Sequence, residues 1–315
     1  MVMTKSYKET LKGRDFLTLA DYSKAEISYL LELSKRIKQK RKNGEIYEPL
    51  KGKTLGMIFE KSSTRTRVSF EAGIYQLGGT GLFLSSNDIQ IGRGELISDT
   101  AKVLSGYLDG IMIRTFAQKD VEDLAENASI PVINGLTDVY HPCQVLADLQ
   151  TIQEVKGSLE GLKLAYIGDG NNMAHSLMIG AAKMGIDVAI AAPKEYQPLN
   201  AVTELATGFA ENSQVVVTED VVEAVANADV IYSDVWASMG QEAEQAKREK
   251  AFATYQVNKE LFSHANKDAI FMHCLPAHRG EEVTADIIDG PQSVVFQEAE
   301  NRLHAQKALM VALMG

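Results

Sequence analysis

The sequence predicts an α/β protein built from two doubly wound, mostly parallel sheets. Short apolar runs alternate with helix-period segments from Thr54 to Val132. The alternation restarts at Leu164, after the polar, glycine-bearing break Lys156-Gly157-Ser158-Leu159-Glu160-Gly161. A chain of 315 residues is long enough for two cores, since domains usually run ~100–200 residues. Alternation of this kind sets parallel strands side by side with helices on the sheet faces. The expected division is residues 1–150 and 151–297, with the last helix, 298–315, running back to the first domain.

Taken in order, Ser23-Lys24-Ala25-Glu26 has the form of a capping box, and Ile27, Leu30, Leu31 and Ile37 continue it as an amphipathic helix. A basic run from Lys35 to Lys42 closes that helix before Asn43-Gly44. A solvated face favoured by the helix C-terminal dipole accounts for it. Strands are expected at Leu55–Phe59, Gly81–Leu84, Gly110–Arg114 and Pro131–Ile133. Helices are expected between them at Thr66–Leu77, Ser98–Tyr107 and Asp120–Asn127, followed by one at His141–Val155. In the second half, strands are expected at Leu164–Ile167, Val188–Ala191, Val215–Val217, Val230–Ser233, Ile270–Met272 and Val294–Phe296. The polar stretch Asp234–Tyr255 is long enough to be a functional loop, and Glu298–Met314 closes the chain as a helix.

Composition narrows the class. Hydrophobic residues make up 45% and charged residues 23%, which is ordinary for a soluble globular protein. A formal net charge of −10 argues against a nucleic-acid surface and requires any anion site to be local. The first residues lack the apolar core of a secretory signal. No apolar run approaches the ~18–20 residues of a membrane span. Cys143 and Cys274 are the only cysteines and lie far apart, so no disulfide framework is implied. A cytoplasmic protein is expected, without membrane or nucleic-acid partners.

The residues that carry chemistry cluster at strand ends. Glu60-Lys61-Ser62-Ser63-Thr64-Arg65-Thr66-Arg67 joins a strand to a helix. There the first backbone N–H groups lack intrahelical partners and the helix dipole favours an anion. Arg65 and Arg67 add forks that match phosphate or carboxylate oxygens. The plainer reading is Ser63 as an ordinary N-cap with both arginines in solvent. Gly168-Asp169-Gly170-Asn171-Asn172 also joins a strand to a helix, so a dinucleotide site is one reading. Met173, however, stands where that fingerprint wants glycine or alanine. A tight polar turn capping a helix is the other reading. His141-Pro142-Cys143-Gln144 opens a helix, where His141 either meets a ligand oxygen or satisfies nearby backbone. Asp234, with Ser238-Met239-Gly240 after it, lies past a strand, at the end where α/β sheets bind ligands. Asp234 can hold a cationic amine there, and the loop can close over it. His273-Cys274-Leu275-Pro276 follows another strand, with Cys274 either a small buried filler or a thiol tuned by a nearby charge. The six histidines are scattered and none forms zinc-site spacing. No metal is expected.

Jointly and in this order, Ser63-Thr64-Arg65-Thr66-Arg67, Gln90, Arg114, His141-Pro142-Cys143-Gln144, Asn172, Asp234 with Ser238-Met239-Gly240, His273-Cys274-Leu275-Pro276 and Arg302 resemble the ornithine carbamoyltransferases. The resemblance runs from about Asp15 to the end. It implies a carbamoyl phosphate-binding first domain, an ornithine-binding second domain and an active site in the cleft between them. It also implies a homotrimer, or a higher assembly of trimers, and no cofactor. By resemblance Ser63, Thr64, Arg65, Thr66, Gln90, Arg114, His141, Gln144, Cys274, Leu275 and Arg302 bind carbamoyl phosphate, with Gln90 reaching a neighbour's molecule. Asn172, Asp234, Ser238 and Met239 bind ornithine, and Arg114, His141, Asp234 and Cys274 take part in the chemistry. Two sister activities fit less well. An aspartate enzyme would carry arginine after Leu275-Pro276, where this chain has Ala277, and a putrescine enzyme would lack Ser-Met-Gly. A non-catalytic paralogue would have lost site residues, and all of them are present.

Overall fold

The computed structural model describes residues 2–238, 240 and 242–315, those at 2–6, 92 and 242 by their backbone alone. The chain divides into two units, Met1–Gln150 with Asn301–Gly315, and Thr151–Glu300. Both divisions fall inside helices, Pro142–Lys156 and Val295–Met314.

The first unit holds a four-stranded parallel sheet of β1 (Thr54–Phe59), β2 (Thr80–Ser85), β3 (Gly110–Arg114) and β4 (Val132–Leu136), in the order β2-β1-β3-β4. The central strands β1 and β3 are mostly apolar, as strands of a parallel sheet covered on both faces are. Every residue of β3 is buried and only Thr54 of β1 is not. Ile58, Ile111, Ile113, Val121, Leu124 and Val132 form one core cluster. β2 sits at the edge, half-exposed. The capping box is present: Ser23 Oγ accepts from Glu26 N–H, and the Glu26 carboxylate accepts from Ser23 N–H at 2.8 Å.

The second unit holds β5 (Lys163–Ile167), β6 (Asp187–Ala191), β7 (Val215–Thr218), β8 (Val230–Ser233) and β9 (Ile270–His273), in the order β7-β6-β5-β8-β9, again all parallel. Ile167, Ile231, Trp236, Phe252 and Phe271 belong to its core cluster. The strand expected at Val294–Phe296 is not formed. Val294 N–H donates to Phe271 C=O at 3.0 Å, but Glu298 N–H then returns to Val294 C=O at 2.9 Å, so the chain winds into the last helix. Phe296 consequently stands 71% exposed. The Asp234–Tyr255 stretch folds a short helix, Gln245–Ala251, within the expected loop.

In open parallel sheets, ligands bind at the carboxyl ends of strands where the strand order reverses. In the first sheet that point lies between β1 and β3, which end at Phe59 and Arg114; in the second it lies between β5 and β8, which end at Ile167 and Ser233. The strand-end motifs singled out above start from one of these strands or from β9, except His141-Pro142-Cys143-Gln144, which follows β4. Among the described residues no helix is long and apolar enough to cross a membrane.

Gly170 corrects the dinucleotide reading. A Cβ built there would lie 2.2 Å from Pro198 N and 2.5 Å from Gln197 C. The close approach that glycine permits is taken by this chain's own backbone, leaving no room for a pyrophosphate. A methyl at that point meets main chain that cannot rotate away, so Gly170→Ala is expected to destabilise by about 1–3 kcal/mol. At ~2–4 °C per kcal/mol for a unit of this size, thermal unfolding should reveal it. Gly208→Ala, in the Asn200–Phe209 helix with open space around it, is the control and should unfold no lower than the parent.

Candidate active site

In the first unit, β1 delivers the chain to Ser63, whose extended backbone and hydroxyl cap the Thr64–Gln76 helix. Ser63 Oγ accepts from Thr66 N–H at 3.2 Å and donates to Thr66 Oγ1 at 3.1 Å. The cap is thus real, and it coexists with a cluster of charge. Arg302 donates to Thr66 Oγ1 at 3.2 Å and to Gln144 Oε1 at 2.6 Å, and Gln144 Nε2 donates to Asp148 Oδ1 at 2.8 Å. His141 is 5% exposed. Burial, then the positive charges of Arg302, Arg114 and Arg65, hold its imidazole well below the ordinary histidine range. The structure thus gathers Ser63, Arg65, Thr66, Arg114, His141, Gln144 and Arg302, with Thr64 exposed at the first turn of the same helix.

Two expectations here need correction or placing. Arg67 does not join the anion forks: its guanidinium lies 3.7 Å from the centroid of the Phe83 ring and its Nε donates to Glu71 at 3.3 Å. Helical geometry turns it away, because Arg65 and Arg67 are two residues apart and cannot share a face. Gln90 starts an exposed single turn, Gln90–Arg93, and no described interaction joins its side chain to the cluster. Cys143 is a filler. Its thiol donates to Asn134 C=O at 3.3 Å, and burial pushes its pKa up to about 12.

In the second unit the ends of β5, β8 and β9 converge on Asp234, which is 6% exposed. Its Oδ1 accepts from Val235 N–H at 2.8 Å and from Cys274 Sγ at 3.1 Å, and its Oδ2 accepts from Asn171 Nδ2 at 3.1 Å. Asn171 is the N-cap of the Asn172–Met184 helix, its Oδ1 accepting from Met173 and Ala174 N–H. Capping fixes which end of the amide faces Asp234. Asn172 opens the helix, half-buried, and Ser238 is half-buried in the loop after Asp234. Met239 lies outside the described residues. The start of that loop is fastened by Arg248, which donates to Trp236 C=O and to Asp169 Oδ2, each at 2.8 Å. Burial nonetheless lifts the Asp169 carboxyl to about 6 against the pull of Arg248.

Leu275 is held from behind. His273 Nδ1 accepts from Leu275 N–H at 2.9 Å, which leaves the ring proton on Nε2 to donate to Glu282 Oε1 at 3.2 Å. Glu282 also accepts from His278 N–H at 2.6 Å, and Glu298 accepts from His273 N–H at 3.0 Å. Leu275 itself has φ 57, a left-handed conformation that a branched side chain rarely takes without such support. Neither Glu282 nor Asn171 was assigned a role from sequence. Asn171 stood in a motif already noted, whereas nothing near Glu282 marks it. Scattered in sequence, Asp234, His273 and Cys274 nevertheless bring ligand-type atoms within 4.8 Å of one another. Both His273 nitrogens are already committed to protein partners, so the donor set does not suit a metal.

A basic, partly buried cluster at one switch point and a carboxylate–thiol–amide cluster at the other suit an anion and an amine respectively. A family model described as the aspartate/ornithine carbamoyltransferase carbamoyl-P binding domain matches residues 14–154, and its Asp/Orn binding domain counterpart matches residues 160–313. The ornithine carbamoyltransferase of Oceanobacillus iheyensis is 71% identical, over 98% of this chain and 96% of its own. That of Bacillus subtilis is 62% identical, over 97% and 95%. The solved ornithine carbamoyltransferase from Pyrococcus furiosus superposes with a TM-score of 0.94 at 56% identity, covering 97% of this chain and 98% of that one.

The His141 environment makes a direct prediction. Its folded-state pKa is depressed, so the ring stays neutral down to pH values well below 6.5. Only the unfolded chain takes up that proton as pH falls through ~6.5. In ¹H–¹⁵N spectra the His141 ring signals should not titrate between pH 8 and 6. A midpoint for His141 near 6.5 would remove the arginine cluster from its surroundings.

Proposed function

The chain belongs to the aspartate/ornithine carbamoyltransferase family, and on that premise we propose that it transfers the carbamoyl group of carbamoyl phosphate to the δ-amine of L-ornithine, giving L-citrulline and phosphate. The observation that carries the reading is the buried neutral imidazole of His141 amid Arg65, Arg114 and Arg302. Three fixed cations beside a neutral donor suit a substrate that is anionic at its phosphate and polar but uncharged at its carbonyl.

The steps follow from the residues. Carbamoyl phosphate binds at the N-terminus of the Thr64–Gln76 helix through Ser63, Thr64, Arg65 and Thr66, with Arg302 on the phosphate. Arg114 and His141 donate to the carbamoyl oxygen, with Gln144 and the Cys274-Leu275 backbone completing the pocket. That oxygen gains negative charge as the amine adds, and one such donor is worth about 2.7–4 kcal/mol of transition-state stabilisation. Asn172, Ser238 and Met239 hold the α-amino acid end of ornithine. Asp234 and Cys274 meet its δ-amine, which attacks only after losing a proton, since amines of this kind are mostly protonated at neutral pH. The new C–N bond forms, the C–O bond to phosphate breaks, and the departing phosphate accepts the proton shed by nitrogen.

We further propose a trimer. Val68, Leu82, Phe83, Leu96, Val103 and Tyr107 of the first unit are exposed by 38% or more, and apolar surface on that scale favours a partner. In such an assembly Gln90 would serve a neighbouring molecule. A cytoplasmic location goes with this reading.

A turnover assay tests the function: purified protein, carbamoyl phosphate and ornithine should give citrulline and phosphate in equal amounts. Replacing ornithine by putrescine should lower kcat/KM by ~10²-fold or more, because the missing carboxylate leaves site donors unpaired. Comparable rates with putrescine or aspartate would overturn the substrate assignment. Cys274 separates chemistry from packing. Cys274→Ala should raise the ornithine KM or lower kcat while carbamoyl phosphate affinity holds, and wild-type kinetics in the folded variant would reduce Cys274 to a filler.

A further inference from the structure

The basic run at Lys35–Lys42 has no part in the chemistry above, yet the fold gives it company. The last turn of the Lys24–Lys42 helix, the loop Gly44–Glu48, Lys51 and the end of the Thr64–Gln76 helix line a cavity of about 610 Å³. Four cations reach it, namely Lys40, Arg41, Lys51 and Lys307, against two carboxylates, Glu45 and Glu48. Lys40 is paired with Glu45 at 2.6 Å. That leaves three cations facing Glu48, an excess of two positive charges in a protein whose net charge is −10. A helix dipole explains lysines in the last turn of that one helix. It does not explain Lys307, which arrives from the Val295–Met314 helix, nor Lys51 from the loop before β1.

Lys307 is the telling residue. It is 4% exposed, and its ammonium donates to a neutral oxygen, Gln76 Oε1, at 3.0 Å. No carboxylate pairs with Lys307, Arg41 or Lys51 among the described residues. Burial, and then the repulsion of Arg41, lower the Lys307 pKa to about 8. A desolvated ammonium held beside another cation is a cost that an anion in the cavity would offset. The rim is apolar: Ile46 and Tyr75 are 87% and 79% exposed, and Lys40 sits 5.6 Å from the Tyr47 ring centroid.

We propose that this cavity is a second anion site of the first unit, binding a phosphate-bearing ligand. Arg41, Lys51 and Lys307 take the dianionic phosphate group. Ile46, Tyr47 and Tyr75 offer a surface for an organic portion. The charge excess selects a dianion over a simple carboxylate, and the volume exceeds what inorganic phosphate needs. The two sources of that chemistry, free phosphate and a phosphate monoester, are separated by experiment.

The test is calorimetric titration at pH 8 with inorganic phosphate and, separately, with phenyl phosphate. Both are measured in the Arg65→Gln protein so that the substrate site contributes little. Saturable binding at one site per chain is expected, weakened at least tenfold when Arg41→Gln and Lys51→Gln are added. Both of those side chains are exposed, so the variant should fold, and its unfolding temperature verifies this. Binding should also take up protons, seen as heats that vary with the buffer, because a dianion pulls Lys307 back to its charged form. That uptake should vanish in Lys307→Met. Tighter binding of phenyl phosphate identifies a monoester, and equal affinity identifies free phosphate. No saturable binding, or binding unchanged by Arg41→Gln with Lys51→Gln, overturns the proposal.

Discussion

Cations buried close together repel, and the first unit is arranged around that constraint. Burial first, and then the charges of Arg302, Arg114 and Arg65, lower the His141 pKa and keep its ring neutral. Arg302 is steadied by Thr66 Oγ1 and Gln144 Oε1. Both acceptors are uncharged, so they orient the guanidinium without cancelling its charge. Gln144 is turned toward Arg302 because its amide nitrogen is taken by Asp148. Each piece follows from strand-end placement: Arg114 closes β3, Thr66 lies one turn past β1, and His141 follows β4 by a few residues. On the proposed function, a phosphate entering this region would relieve repulsion already present and meet charges that are preorganised.

On the proposed function the second unit faces the opposite problem, holding an amine that must become neutral before it reacts. Asp234 supplies the negative charge, but Asn171 and Cys274 already donate to it. A carboxylate satisfied by neutral donors can attract an ammonium without fixing a permanent ion pair. Rigidity behind the site matters as much. His273 is gripped on its backbone and on both ring nitrogens by Glu298, Leu275 and Glu282, and Leu275 keeps its left-handed backbone as a result. Through Arg248 the loop that begins at Trp236 is tied to Asp169, itself two residues before Asn171. The turn at Gly168–Asn172 therefore braces both sides of Asp234.

Much of this architecture was legible because its signals are local. The Ser23–Glu26 capping box, the strand-end positions of Ser63, Asp234 and Cys274, and the approximate extents of the strands other than β4 among the described residues follow from neighbours in sequence. β4 was expected too short because Gly135 weakens a strand pattern that the Arg114–Leu136 pairing continues. Val294–Phe296 misled for a related reason. A short apolar run cannot distinguish a buried strand from the first turn of a helix. Arg67 illustrates another limit: the forks of Arg65 and Arg67 look alike on paper, yet Phe83, sixteen residues on, claims one of them. Glu282 and Lys307 depend wholly on distant partners, and no spacing announces them.

The placing of Arg67 bears on more than the anion site. Its guanidinium covers Phe83 on β2, an edge strand whose Leu82 and Phe83 remain 44% and 38% exposed. An exposed apolar edge invites pairing or needs cover. Val68, next to Arg67 on the Thr64–Gln76 helix, adds to the same kind of surface at 57% exposure. On the proposed function, the helix that meets the anion with one side of its first turns would offer the other side to whatever covers β2. Arg65 and Arg67 divide the labour, the first facing the buried imidazole and the second facing outward. On the trimeric reading, burial of that outer face would stiffen the first turns of the helix. The N–H groups that meet the phosphate would then be held by contacts that an isolated chain lacks.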